Sequence, residues 1–413
     1  MKVELHLLQN FPPANLNRDD TGQPKDTDFG GVRRARVSSQ CIKRSIRRSG
    51  PFERAFEGRI ATRSKQVRDR ELVPRLVALG HSEDDARAVA AAVLDDLLGW
   101  DAERGETKVL FYVGPEELDR LAELAHDHGA AIAQALAARA ALAPASKDKK
   151  EKAAIDAAGA AVSGAAKKVG EAFRSERQGR VRSVDVALFG RMLAQVPGMN
   201  IEAASQVAHA ISTHALDQDF DFYTAVDDLK AGDAGSEDKG AGMVGTTGFN
   251  ASCYYRYLLV DADRLASNLA EGADAVTAAD RRLAVDAVAA FVEGAVEAIP
   301  TGKQTAFAAQ TPPALVMAVV KDAAAAPWSL ANAFANPVAP GGDGIVAESV
   351  RRLDGHWDAL VDMYGDGGAR VFVKVAKDVG GLGTLAPHAV ANVPALVAGV
   401  TDALKAWADG APA

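Results

Sequence analysis

Residues 29–52 read FGGVRRARVSSQCIKRSIRRSGPF. Seven of them are basic (Arg33, Arg34, Arg36, Lys43, Arg44, Arg47 and Arg48) and none is acidic. Val32–Val37 suits an extended strand behind a glycine turn, and Ser38 or Ser39 suits the N-cap of a following helix. Over Gln40–Arg48 such a helix places Ile42 and Ile46 on one face, with Lys43 stacked on Arg47 and Arg44 on Arg48. Ser49-Gly50-Pro51 is a helix stop. Like charges one turn apart cost about a few tenths of a kcal/mol per pair, so this helix calls for a counter-charge. A phosphate backbone fits. Arginine forks, lysines and free amides at the helix start, near Ser38 and Gln40, give the attraction that dominates nucleic-acid affinity. Upstream, Arg18 and Lys25 stand on a turn-rich loop that can fold over the same surface. The plain alternative is a solvated basic helix neutralised by carboxylates from elsewhere.

Outward from this window the balance reverses. The 413 residues carry 47 Lys+Arg against 55 Asp+Glu, a net charge of −8, so the chain outside the window sums to −15. An acidic total argues against a nucleic-acid binder, whereas a segregated charge leaves one basic surface. A hydrophobic content of 48% with 25% charged residues excludes a mainly disordered chain. No apolar run approaches the ~18 residues of a spanning helix. The start, MKVELHLL, is too short for a signal peptide. Two cysteines, Cys41 and Cys253, exclude a disulfide framework and a four-thiolate zinc site. The expectation is two reduced thiols in a cytoplasmic protein of two or three structural units.

Residues 2–9 alternate as a mostly buried first strand. From about 55 to 190 the apolar spacing is helical, with 108–113 a strand candidate. The alanine-dominated stretch 129–172, holding the Lys147, Lys149 and Lys150 cluster, predicts a long exposed helix or helical hairpin. Then the period changes. DQDFDFYTAV (217–226), a glycine-rich loop and TTGFNASCYYRYLLV (246–260) predict a long β-hairpin. A helix over 276–296, a buried strand over 314–320, a short helix around Trp328 and a helical tail complete the reading.

Motifs for chemistry are missing. His209 and His214 are five residues apart, about 140° around a helix, rather than the four of a zinc pair. Asp217-x-Asp219-x-Asp221 opens like a calcium loop but has Phe222 where glycine is required. Gly302-Lys303-Gln304 lacks the frame of a phosphate loop. No metal, no cofactor and no catalytic residue are expected. An RNA-processing nuclease and a double-stranded DNA-binding regulator stand as the alternatives.

The longer stretch LNRDDTGQPKDTDFGGVRRARVSSQCIKRSIRRSG (16–50) resembles the N-terminal signature of the CasC family, the backbone subunit of the type I-E CRISPR Cascade complex. DVALFGRM (185–192), AHAISTH (208–214), DFDFYTAVDDL (219–229) and YYRY (254–257) agree, and KQTAFAAQTPP (303–313) agrees more weakly. The resemblance implies an α+β fold: a ferredoxin-like, RNA-recognition-motif-type palm with inserted helical fingers and a β-hairpin thumb. The corresponding boundaries are 1–56, 191–215 and 253–413 for the palm, 57–190 for the fingers and 216–252 for the thumb. It implies a non-catalytic subunit that binds guide RNA (crRNA) in head-to-tail copies beside other Cascade subunits and presents it to target DNA. A helicase-nuclease is recruited to such complexes, and no membrane is involved. The family's backbone contacts fall on Arg18, Lys25, Ser38, Gln40, Lys43 and Arg47, with Arg33, Arg34 and Arg44 in the same basic window. Its methionine wedge falls on Met192, and its thumb residues on Tyr223, Thr224 and Val244. Tyr223 departs from the usual phenylalanine. The lysines at 147, 149 and 150 are expected, from charge alone, to help hold target DNA.

Overall fold

The computed structural model describes residues 1–141, 149–176, 180–226, 241–270, 275–339 and 342–410. The chain divides into two compact units, Met1–Ala55 with Ser205–Asp263 and Val285–Ala413, and Phe56–Ala204 with Arg264–Ala284.

The first unit is built on a nine-stranded sheet. Its strands are β1 (Lys2–Ala14), β2 (Asp26–Phe29), β3 (Val32–Val37), β4 (Ser205–Val207), β5 (Ala210–Ser212), β6 (Asp219–Val226), β7 (Ala241–Asp261), β8 (Leu315–Lys321) and β9 (Arg370–Val375). The order is β9-β8-β1-β7-β5-β3-β2, with β4 and β6 pairing onto β7. β1 lies in the middle and is buried on both faces, as its nearly unbroken apolar run requires. Val3, Leu5 and Leu7 oppose Val320, Ala318 and Val316 of β8. The other side of the strand carries Glu4, His6 and Leu8, and Leu8 packs with Met317, Val319, Leu353 and Trp357. Leu353 and Trp357 come from a 20-residue helix, Ile345–Tyr364, that covers this face. Against the opposite face lies α1 (Ser39–Arg47), whose Ile42 and Ile46 are its buried residues. β6 and β7 form the long hairpin that the alternation predicts, and β7 then runs on without a break into the sheet beside β1.

The second unit is mainly helical. Its helices Glu83–Leu98, Pro115–Asp127, Gly129–Ala140 and Lys149–Glu176 enclose Val89, Val93, Leu121, Val169 and Phe173. The strand candidate at 108–113 shortens to Phe111–Val113, which pairs with Thr62–Ser64. The alanine-rich region does form two helices, but the second is not simply exposed. Val162, Ala166, Val169 and Phe173 recur at helical spacing and are buried, so a seam of larger side chains among the alanines docks it. Lys147 lies outside the described residues, and Lys149 and Lys150 open that helix. Among the described residues no helix is long and apolar enough to cross a membrane.

Candidate nucleic-acid interface

α1 and the loop before β2 are tied together at the helix start. Ser38 is the N-cap, its Oγ accepting from the Cys41 amide at 3.3 Å. The Ser39 amide donates to His209 Nδ1 at 2.9 Å. Burial and the neighbouring Arg36 and Lys25 charges lower the His209 pKa, which keeps the ring a neutral acceptor. The amides of Ser39 and Cys41 are therefore taken within the chain, which corrects the expectation of free donors for phosphate. Asn17 completes the tie. Its Oδ1 accepts from the Ser38 amide at 2.8 Å and its carbonyl accepts from the Lys25 amide at 2.9 Å.

Outward from α1 point the cations. Gln40, Arg44 and Arg48 are exposed, while Lys43 and Arg47 are half-buried. Burial lowers the Lys43 pKa. Arg48 pairs with Glu53 at 3.1 Å. A groove of about 470 Å³ runs alongside, lined by Asn17, Arg18, Asp19, Asp20, Arg44 and Gly302 among others. Among the described residues no carboxylate pairs with Arg18, Lys25, Lys43 or Arg44. Asp19 is turned into its own loop, accepting from the Thr21 amide and hydroxyl and the Gln23 amide at 2.8–2.9 Å. These bonds hold its carboxyl below the usual range.

The groove's far wall, at Thr301 and Gly302, leads into a strained turn. Lys303 (φ 45) and Ala308 (φ 47) occupy the left-handed region on either side of the single turn Gln304–Phe307. Gln304 Nε2 braces the turn by donating to the Pro300 carbonyl at 3.0 Å, and Lys303 Nζ reaches Thr247 Oγ1, at the root of the hairpin, at 3.0 Å. Gly302 is required here, since a Cβ would sit 2.2 Å from the Leu16 carbonyl oxygen. The weaker resemblance block at 303–313 is the signal that points to this turn.

The two arginines of β3 separate. Arg33 is exposed and pairs with Asp26 at 2.5 Å and Asp28 at 3.3 Å. Arg34, expected at the RNA surface, is instead fully buried. It donates to the carbonyls of Phe29, Ser212, Phe334 and Ala335 at 2.8–3.3 Å, so its fork staples β3 to a distant loop and has no free face for a ligand. His214 is likewise used inside the fold. Its Nδ1 lies 2.8 Å from the Ala215 carbonyl, and its Nε2 accepts from the Cys253 amide at 3.2 Å.

On the hairpin Tyr223 registers with Gly245, and Thr224 with Val244. Phe220, Phe222, Tyr223 and Met243 are exposed, the two phenylalanines by more than 60%. In the second unit Met192 is 84% exposed, so it is no core methionine. Arg191 beside it is buried in a bidentate pair with Glu117, both bonds 2.9 Å. Among the described residues no group of three His, Cys, Asp or Glu is placed to hold a metal ion.

Residues 3–397 match the model of a family described as CT1975-like protein. No curated protein matches the chain. One similar solved chain, titled as a CRISPR RNA-guided surveillance complex in a pre-nicking state, is 30% identical. The match covers 98% of this chain and 100% of that one, with a TM-score of 0.76. A second, titled as a CRISPR RNA-guided surveillance complex, is 27% identical over the same shares, with a TM-score of 0.68.

Proposed function

This chain belongs to the CT1975-like protein family, and from that premise we propose that it is a backbone subunit of a CRISPR RNA-guided surveillance complex. In this reading it is a CasC-type subunit of a type I-E Cascade that holds guide RNA by its phosphates and performs no catalysis. The carrying observation is that Arg18 and Arg44 line one groove, with Lys25 on the same loop and Lys43 on the same helix, and that none of the four has a carboxylate partner among the described residues. Unpaired arginines and lysines along a groove suit a backbone that varies in sequence and never in charge. Gln40 and Arg47 extend the same surface, whereas Arg34 is left out of it. Guide pairing then supplies the sequence specificity, and the protein need not read base edges.

The remaining parts follow from the same reading. The sheet unit is the ferredoxin-like palm, the helical insertion the fingers and the β6–β7 hairpin the thumb. Copies stack head to tail, each hairpin lying over the guide held by its neighbour. Its exposed Phe220, Phe222 and Tyr223 are side chains on which bases stack, an interaction of roughly 1–3 kcal/mol per base. Met192 wedges at the kinked nucleotide. Other Cascade subunits, target DNA paired to the guide and a recruited helicase-nuclease are the partners.

Expression with a guide array, purification and sequencing of the bound RNA test this. Uniform short guides are expected. With about six phosphates contacted per copy, log K should fall against log salt with a slope near −4. RNA of random length, a slope near zero, or duplex DNA that outcompetes single-stranded RNA overturns the proposal.

A further inference from the structure

Beneath α1 the sheet holds a positive charge with no carboxylate partner among the described residues. Arg256 on β7 is 4% exposed. Its Nη1 donates to Gln9 Oε1 at 2.6 Å, and its Nε has no partner among the described residues. Gln9 is held in that orientation because its Nε2 donates to the Thr311 carbonyl at 2.8 Å. Burial pulls the guanidinium pKa down to about 10, which still leaves it charged at neutral pH.

The other buried cations of this protein are treated differently. Lys321, on the opposite face, is paired with Glu4 at 2.9 Å under the ring of Trp328. Arg191 has Glu117, and Arg34 has four carbonyls. Among the described residues no carboxylate pairs with Arg256, and an uncompensated buried charge is destabilising.

Where the missing anion can sit is limited by space. Arg256 lines a cavity of about 10 Å³ with Gln9, Leu16, Ile42 and Ser45. That volume admits about one water and no phosphate. Leu16 and Ser45 also line the 470 Å³ groove, so they form the wall between guanidinium and groove. The groove's own carboxylates, Asp19 bonded to neutral donors of its turn and Asp20 exposed to solvent, make no ion pair with Arg256.

We propose that Arg256 is a positioning residue of the groove, a buried guanidinium whose field acts through the Leu16–Ser45 wall and is neutralised by a phosphate of the bound strand. The proposal rests on the groove being the RNA site and adds how that site is polarised from within. A charge in a low-dielectric interior is screened little, so it draws an anion it never touches. The free chain carries the destabilising charge, and the complex relieves it.

Arg256→Met, Arg256→Gln and Arg256→Lys in the full chain test this, by thermal unfolding of the free protein and by titration with a labelled single-stranded RNA. The methionine and glutamine variants should unfold no lower than the wild type and bind RNA about tenfold more weakly. The lysine variant should stay within about threefold. The salt slope of the methionine and glutamine variants should be smaller by ~0.7, because one phosphate loses the charge that neutralises it, and the lysine variant should keep the wild-type slope. An unchanged slope in the neutral variants overturns neutralisation of a phosphate by Arg256. Unaltered RNA affinity, a melting temperature that falls together with affinity, or failure of both neutral variants to fold shows that Arg256 only supports the fold. Wild-type protein that binds no single-stranded RNA overturns the groove reading itself, which separates the two failures.

Discussion

Two sets of cations in this chain are used in opposite ways. In the helical unit Arg75 pairs with Glu71 and Asp119, Arg87 with Glu83, Arg120 with Glu123 and Glu176, and Arg174 with Asp96. In the sheet unit Arg18 and Arg44 line a groove, with Lys25 and Lys43 on the same loop and helix, and none of the four has such a partner among the described residues. Counting lysines and arginines does not separate these cases. Pairing does. A cation whose carboxylate is supplied by the fold positions structure, and one left unpaired beside a groove is available to an anion from outside.

The comparison is tested most severely where pairing is deepest. Arg191→Met leaves Glu117 buried without its cation, with only the Gly114 amide still donating to it, and breaking such a pair costs about 3–5 kcal/mol. Denaturant unfolding should show a loss of that size in the helical unit. A loss under about 1 kcal/mol would mean that paired arginines there are dispensable. Next comes the converse. Arg18→Glu with Arg44→Glu should weaken RNA binding about a hundredfold, about 3 kcal/mol, with little change in melting temperature. If melting falls and affinity holds, the unpaired cations serve the fold after all.

A third test uses the paired face of the sheet. His6 lies fully buried beside the Glu4–Lys321 pair, and burial, helped by Lys321, lowers its pKa to about 3. The Tyr255 hydroxyl accepts from the Leu330 amide and donates to His6 Nδ1 at 2.9 Å, a bond that the neutral ring satisfies. Because the folded pKa is depressed, this stability is full above about pH 6.5 and is lost as pH falls from there toward 3. By pH 5 the loss should reach about 2 kcal/mol. His6→Gln should flatten that slope, and an unchanged pH profile would show that His6 titrates normally in the folded chain.

Which parts of this were legible in the sequence follows from how local each signal is. Ile42 and Ile46 are four residues apart, so the buried face of α1 can be read directly, as can the alternating hairpin. Arg34 cannot be separated from its neighbours that way. It and Arg36 alternate onto the same side of β3, and carbonyls up to 301 residues away take up the Arg34 fork. The α1 amides look free for the same reason, because His209 arrives from 170 positions along the chain. The helix Ile345–Tyr364 escapes a propensity reading because Gly355 interrupts it and its apolar stripe is short. The turn beyond the groove's far wall depends on left-handed residues that no spacing rule detects.

The smallest expected effect separates the two regions most cleanly. Arg120 holds Glu176 through two bonds of 2.7–2.8 Å and Glu123 through a third of 2.9 Å, a geometry as good as surface ion pairs offer. Those bonds raise its pKa, led by Glu176. The partners are nevertheless about a third exposed or more, and solvent screening with side-chain entropy removes most of the gain. Arg120→Ala should therefore cost no more than about 1 kcal/mol and leave RNA affinity within about twofold. Arg44→Ala should do the reverse, leaving stability in place and weakening RNA binding about tenfold. Charge lost from the protein is identical in the two variants, so a purely long-range account, in which net charge alone sets affinity, predicts equal binding. Unequal binding at equal charge locates the phosphate at the groove, and equal binding would remove the distinction between paired and unpaired cations on which the site rests.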